Sequence, residues 1–185
     1  MKKLVSIGLF FISLTTFAKG SPTAPDYSMP ALEVGLKSNT VSIQNATSNT
    51  QVTGFQLGVS GVLNFTEKFG LKTGLFYTER PFKSEFSGTQ RDGKITYFEV
   101  PAFLMYKIED YAGVYAGPSM GIKLGDEGSP ALTSVKSMVV PLTIGAQFKF
   151  LPNFGLNFFF EAAGALATGV DNSRAVGVNL MFTLD

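Results

Sequence analysis

The sequence predicts an all-β fold, an eight-stranded antiparallel up-and-down barrel that crosses a membrane, and three observations carry that prediction. Apolar residues alternate with small or polar ones in stretch after stretch between Leu32 and Leu184, and a period of two marks a strand with two unlike faces. The stretches are joined alternately by tight turns and longer connections, which is the layout of an outer-membrane barrel. Beyond the amino-terminal segment no apolar run reaches the ~18 residues that would suggest a spanning helix. The 185 residues suffice for one closed barrel and are too few for two comfortable domains.

The chain opens MKKLVSIGLFFISLTTFAKG, with Lys2 and Lys3 ahead of an apolar run from Leu4 to Leu14 and small or polar residues up to Ala18. This pattern reads as a secretory signal peptide over residues 1–18, because the run is about half of the ~20 residues a membrane span requires. Residues 19–30, KGSPTAPDYSMP, read as an extended leader. Residues 31–185 are then the barrel.

The strands follow in order. In the first, Leu32, Val34 and Leu36 oppose Glu33, Gly35 and Lys37. In the second, Phe55, Leu57, Val59, Leu63 and Phe65 oppose Gly54, Gln56, Gly58, Ser60 and Asn64; in the third, Phe69, Leu71, Leu75 and Tyr77 oppose Gly70, Lys72, Gly74, Thr78 and Arg80. The fourth, YFEVPAFLMYKI, sets Phe98, Val100, Ala102, Leu104, Tyr106 and Ile108 against a mixed parity that holds Glu99, Pro101 and Lys107. The fifth sets Val114, Ala116, Met120 and Ile122 against Gly113, Tyr115, Gly117, Ser119 and Lys123. A sixth runs from Met138 to Phe150 with Gly145, Gln147 and Lys149 on its mixed face. The seventh opposes Phe154, Leu156, Phe158 and Phe160 to Asn157, Phe159 and Glu161, and the eighth opposes Val176, Val178, Leu180 and Phe182 to Gly177, Asn179 and Thr183. Residues 66–68, 109–110 and 151–153 are the expected tight turns, and residues 39–50, 84–93, 125–134 and 167–173 the expected long loops.

Which face is inside decides the environment. A soluble lipocalin-like barrel would turn the apolar face inward. An eight-stranded barrel, however, is only just wide enough for its side chains. About five large apolar residues per strand would overfill it, whereas glycines interleaved with a few long polar residues fit. Phe65, Phe69, Tyr106, Phe148, Phe150, Phe154 and Phe182 also gather near the tight turns or the carboxy terminus, as an aromatic girdle at a membrane interface would. The expectation is therefore lipid outside.

The lumen would then hold a polar network of Glu33, Lys37, Lys72, Arg80, Glu99, Lys107, Lys123, Lys149 and Glu161. Charges of both signs in so narrow a space should pair, because an isolated buried charge is costly. Centring the third connection near residue 89 puts Arg80 opposite Glu99, so these two are expected within about 6 Å of each other, the reach of a direct or water-bridged contact. Such a network plugs the barrel. Pro101, Pro118 and Pro141 each remove a ladder donor in a sheet without an edge, which predicts bulges, bends or a local break in pairing. The GxxxG of Gly117 and Gly121 is, in a period-two strand, only a pair of small inner residues.

Composition excludes several chemistries. There is no cysteine, hence no disulfide framework and no lipidated amino-terminal cysteine. There is no histidine, which removes Ser-His-Asp and Cys-His catalysis and histidine-ligated zinc. The net charge of +1 includes Lys2 and Lys3, so a chain without them carries 1 − 2 = −1. That charge does not suit nucleic acid. No cofactor or metal site and no enzymatic activity is expected. The expected partners are outer-membrane lipid and the barrel-assembly machinery.

The segment YFEVPAFLMYKI, with Tyr97, Glu99, Val100, Pro101, Tyr106 and Lys107, followed by GVYAGPSMGIKL with Gly117 and Pro118, resembles the PorT-like outer-membrane β-barrel proteins, small barrels also described as porin-family or OmpA-like. The resemblance implies a barrel in the bacterial outer membrane over residues 31–185. It leaves the role open, since one fold hosts many functions. An envelope-structural or surface-loop role, a narrow solute channel, and a component of a protein secretion apparatus, like the family's namesake, all remain. Membrane barrels that act on lipids generally rely on histidine, which is missing. The chain departs from the usual terminal aromatic residue of such barrels by placing Phe182 before Thr183, Leu184 and Asp185.

Overall fold

The computed structural model describes residues 27–86, 88–128 and 134–184. The segment read as a signal peptide and residues 19–26 of the leader lie outside the described residues. Eight long strands form the wall: β1 Tyr27–Ile43, β2 Val52–Asn64, β3 Phe69–Phe86, β4 Thr89–Glu109, β5 Ala112–Gly128, β6 Leu142–Leu151, β7 Phe154–Gly164 and β8 Val170–Thr183. Each pairs antiparallel with its neighbours in sequence, and β8 pairs back to β1 with Leu32 opposite Phe182 and Lys37 opposite Gly177. The sheet is thus a closed up-and-down barrel.

Burial settles the facing. Glu33 and Lys37 are 0 % exposed, whereas Leu32 and Leu36 beside them are 43 % and 56 % exposed. The same inversion holds on β4, where Glu99, Phe103 and Met105 are buried while Leu104, Tyr106 and Ile108 face out. Such a surface is insoluble in water and suited to hydrocarbon.

The strand ends depart from the sequence expectation. β1 begins at Tyr27, inside the segment read as leader, and a bulge between Ser28 and Ala31 accompanies a positive φ of 56° at Met29. The bulge turns Met29 into the lumen, where its sulfur accepts a hydrogen bond from Gln147 Nε2 at 3.8 Å. The expected loop over 84–93 is instead mostly strand: β3 runs to Phe86, β4 starts at Thr89, and they stay paired to their tips. In the expected loop over 39–50, β1 continues to Ile43 and Ser48–Thr50 adds a short strand against Lys83–Glu85 of β3. β5 likewise reaches Gly128. The β7–β8 connection folds inward, burying Leu166 and Ala167 and closing on itself through an isolated bridge between Ala167 and Val170. Alternation continues into these extensions because they also have a packed inner face, so the pattern alone does not mark where a strand ends.

The prolines act as breaks rather than bulges. The β3–β4 ladder holds one register but skips from Thr73/Ala102 to Phe76/Glu99, leaving Pro101 without a partner on that side; the Thr73 hydroxyl donates to the Pro101 carbonyl at 2.8 Å. The β4–β5 ladder skips from Pro101/Ser119 to Leu104/Ala116, beside Pro118. Pro141 interrupts the expected sixth strand, which splits into Met138–Val139 and β6.

Candidate functional site

The candidate site is the lumen, which is layered along the barrel axis. Toward the long connections, Val41, Phe82, Ile95, Tyr97, Val139, Ala163, Leu166, Ala167 and Val170 form one apolar cluster. Toward the tight turns, Met29, Val62, Phe103, Met105, Tyr115 and Phe159 form another. Between them lies the charged network.

Two carboxylates organise it. Glu33 on β1 accepts from Ser60 Oγ at 2.5 Å, Asn157 Nδ2 at 2.7 Å and Asn179 Nδ2 at 2.9 Å, and pairs with Lys72 Nζ at 2.9 Å. Glu161 on β7 pairs with Lys37 Nζ at 3.0 Å and with Arg80 Nη1. Arg80 reaches on to Glu99 through Nη2 at 2.5 Å. Lys72 also donates to Gln147 Oε1 at 2.6 Å and lies 4.8 Å from the centre of the Tyr115 ring. Tyr115 in turn donates to Asn157 Oδ1 at 2.6 Å and stacks on Phe103. Glu33, Glu99 and Glu161 balance Lys37, Lys72 and Arg80 in charge. Buried charges of both signs, each hydrogen-bonded, are the condition under which such groups are tolerated away from water.

The nine expected lumen residues therefore divide. Six form this core network. Lys123 stands nearer the long connections and pairs with Asp126 at 2.7 Å, both partly exposed. Lys107 and Lys149 have the inward parity at the tight-turn end and are half-buried. Arg80 and Glu99 meet, but the register places Ile95 rather than Glu99 opposite Arg80, with Glu99 opposite Phe76. The hairpin is centred lower than residue 89, and the long guanidinium side chain spans the diagonal. Ser60, Tyr115 and Gln147 join the network without having been singled out for it; each lies on the mixed parity, the signal that could have found them.

The seven girdle residues all project outward at the tight-turn end, with Phe69 against Tyr106 at 5.2 Å and Phe154 against Phe182 at 5.3 Å between ring centres. Two glycines let the inner rings lie flat against the wall: a Cβ at Gly145 would collide with the Tyr115 ring and one at Gly177 with Phe159. A cavity of about 30 Å³ remains beside the network, lined in part by Gln56, Pro101, Ser119 and Asn179. Among the described residues no group of three or more Asp and Glu side chains is arranged to hold a metal ion.

Comparison with known proteins agrees with this architecture. The family model described as "Outer membrane protein beta-barrel domain" matches residues 28–167. Among solved structures, Neisserial surface protein A is 16% identical with a TM-score of 0.56, the alignment covering 85% of this chain and 99% of that one. Ail, the attachment invasion locus protein of Yersinia pestis, solved in complex with the heparin analogue sucrose octasulfate, is 18% identical with a TM-score of 0.48 over 83% of this chain and 97% of that one. OprG from Pseudomonas aeruginosa is 12% identical with a TM-score of 0.43 over 84% and 95%. At 16% identity the likeness to Neisserial surface protein A speaks to fold alone. No curated protein matches the chain.

Proposed function

The chain belongs to the outer membrane protein β-barrel domain family, and from that premise we propose that it is a non-enzymatic envelope protein whose plugged barrel anchors and presents its outer hairpins. The observation that carries this reading is the layered lumen, in which a charge-balanced network is held between two apolar clusters. A conducting pore needs continuous water, and an eight-stranded barrel filled by its own side chains leaves none. On this reading, Lys72 and Arg80 are structural partners rather than a selectivity filter.

The placement in the bacterial outer membrane, delivery by the amino-terminal signal, assembly by the barrel-assembly machinery and contact with outer-membrane lipid belong to the same proposal. So does kinship with the PorT-like and OmpA-like barrels, which rests on the Tyr97–Lys107 and Gly117–Pro118 segments. Planar-bilayer recording of the purified barrel tests the plug: a silent membrane is expected, and reproducible discrete conductance would favour the narrow channel instead. A secretion role is tested by deleting the gene and assaying exported proteins, with unchanged export expected.

A further inference from the structure

We propose that the small lumen cavity is a site for ordered water, about two molecules, which completes the hydrogen bonding of the plug. Its volume is about 30 Å³, and one water needs on the order of 10–15 Å³ measured in this way. Size alone does not fill a cavity, since apolar ones stay dry. The lining here is polar where it matters. Ser119 and Asn179 are 4 % and 1 % exposed, and Ser119 Oγ and Asn179 Oδ1 have no hydrogen-bond partner among the described residues. Gln56 Oε1, also on the lining, is likewise buried and unpartnered.

The chemistry of these atoms selects the guest. The two amide oxygens can only accept, and the hydroxyl can do either, so the cavity calls for a donor. Water supplies two donated hydrogens and accepts in return. A metal cation fits poorly, because Lys72 also lines the cavity and Glu33 and Glu161 are already occupied by their own partners. A water on Asn179 Oδ1 would extend the Glu33 half of the network into the cavity, on which Glu99 also lies. The site also sits directly behind the interrupted pairing of β4, since Pro101 and Phe103 line it. Wall and plug are therefore both short of donors at the same height.

This inference rests on the plugged reading, because a lumen open to solvent would hold bulk rather than bound water. Conductance tests that reading; electron density tests this one. A crystal structure of the intact barrel at a resolution that shows water should place about two waters in the cavity, within hydrogen-bond distance of Ser119 Oγ, Asn179 Oδ1 or Gln56 Oε1. Ser119→Val, which fills space and removes one polar atom, should retain the folded barrel on an unboiled gel and lose one of these waters. A dry or collapsed cavity, a metal ion in place of water, or both waters unmoved in the Ser119→Val barrel would overturn the proposal.

Discussion

Arg80 shows how much one buried side chain can hold. It is fully enclosed and links Glu99 to Glu161, so Arg80→Met leaves carboxylates deprived of a partner and should destabilise the barrel by about 3–5 kcal/mol. Urea unfolding in detergent micelles measures it. Adding Glu99→Leu to Arg80→Met should recover part of the loss, because Glu161 keeps Lys37, and a double variant no better than the single would contradict the pairing. The Arg80–Glu99 contact was legible in the sequence, since parity places both side chains inside. The Arg80–Glu161 and Glu33–Asn157 contacts were not. They join strands that are far apart in sequence and not paired with each other, and period-two alternation says which face a residue takes but not how deep it lies.

At the level of strands, pairing is weakest where proline removes a donor. In the β3–β4 register the residue opposite Pro101 is Gly74, which lies in the gap of that ladder. Pro101→Ala restores an N–H there and should stabilise the barrel by about 0.5–1.5 kcal/mol, the net value of one hydrogen bond. Amide exchange of β3 and β4 should slow near that position, and unchanged exchange would show that the carbonyl already has a partner. The strands themselves were legible from alternation. Their outer ends were not, because Phe82 and Ile95 keep the inward parity as part of the apolar cap, so the hairpin continues a strand pattern where a loop was expected.

For the molecule as a whole, the decisive property is the inversion of inside and outside. Phe158 is 47 % exposed in the middle of the outward face of β7, so Phe158→Arg should cost about 2–4 kcal/mol in a bilayer. The same measurement on a soluble barrel would show little change at an exposed site, so a negligible effect would argue against lipid contact. The intact protein should also run differently on a gel before and after boiling, as a closed barrel that resists detergent does. Fold class was readable because period, strand number and interior volume each restrict it independently. Role was not, since the same physics serves any rigid barrel.

Glu33 stands on the first strand, yet its hydrogen-bond donors include Asn179 on the last, Asn157 on the one before, Ser60 on the second, and its ion pair is with Lys72 on the third. No partly assembled sheet can satisfy it. A slip of one residue at the β1–β8 junction would turn the carboxylate toward lipid, and a slip of two would replace its diagonal reach to Asn179, which stands opposite Gly35. The correct junction is thus the arrangement in which the two ends of the chain meet and Asn157 and Asn179 join Lys72 and Ser60 on the carboxylate. Assembly becomes a ring closure that checks its own alignment, and the energy that rewards the final step is withheld from every misaligned intermediate.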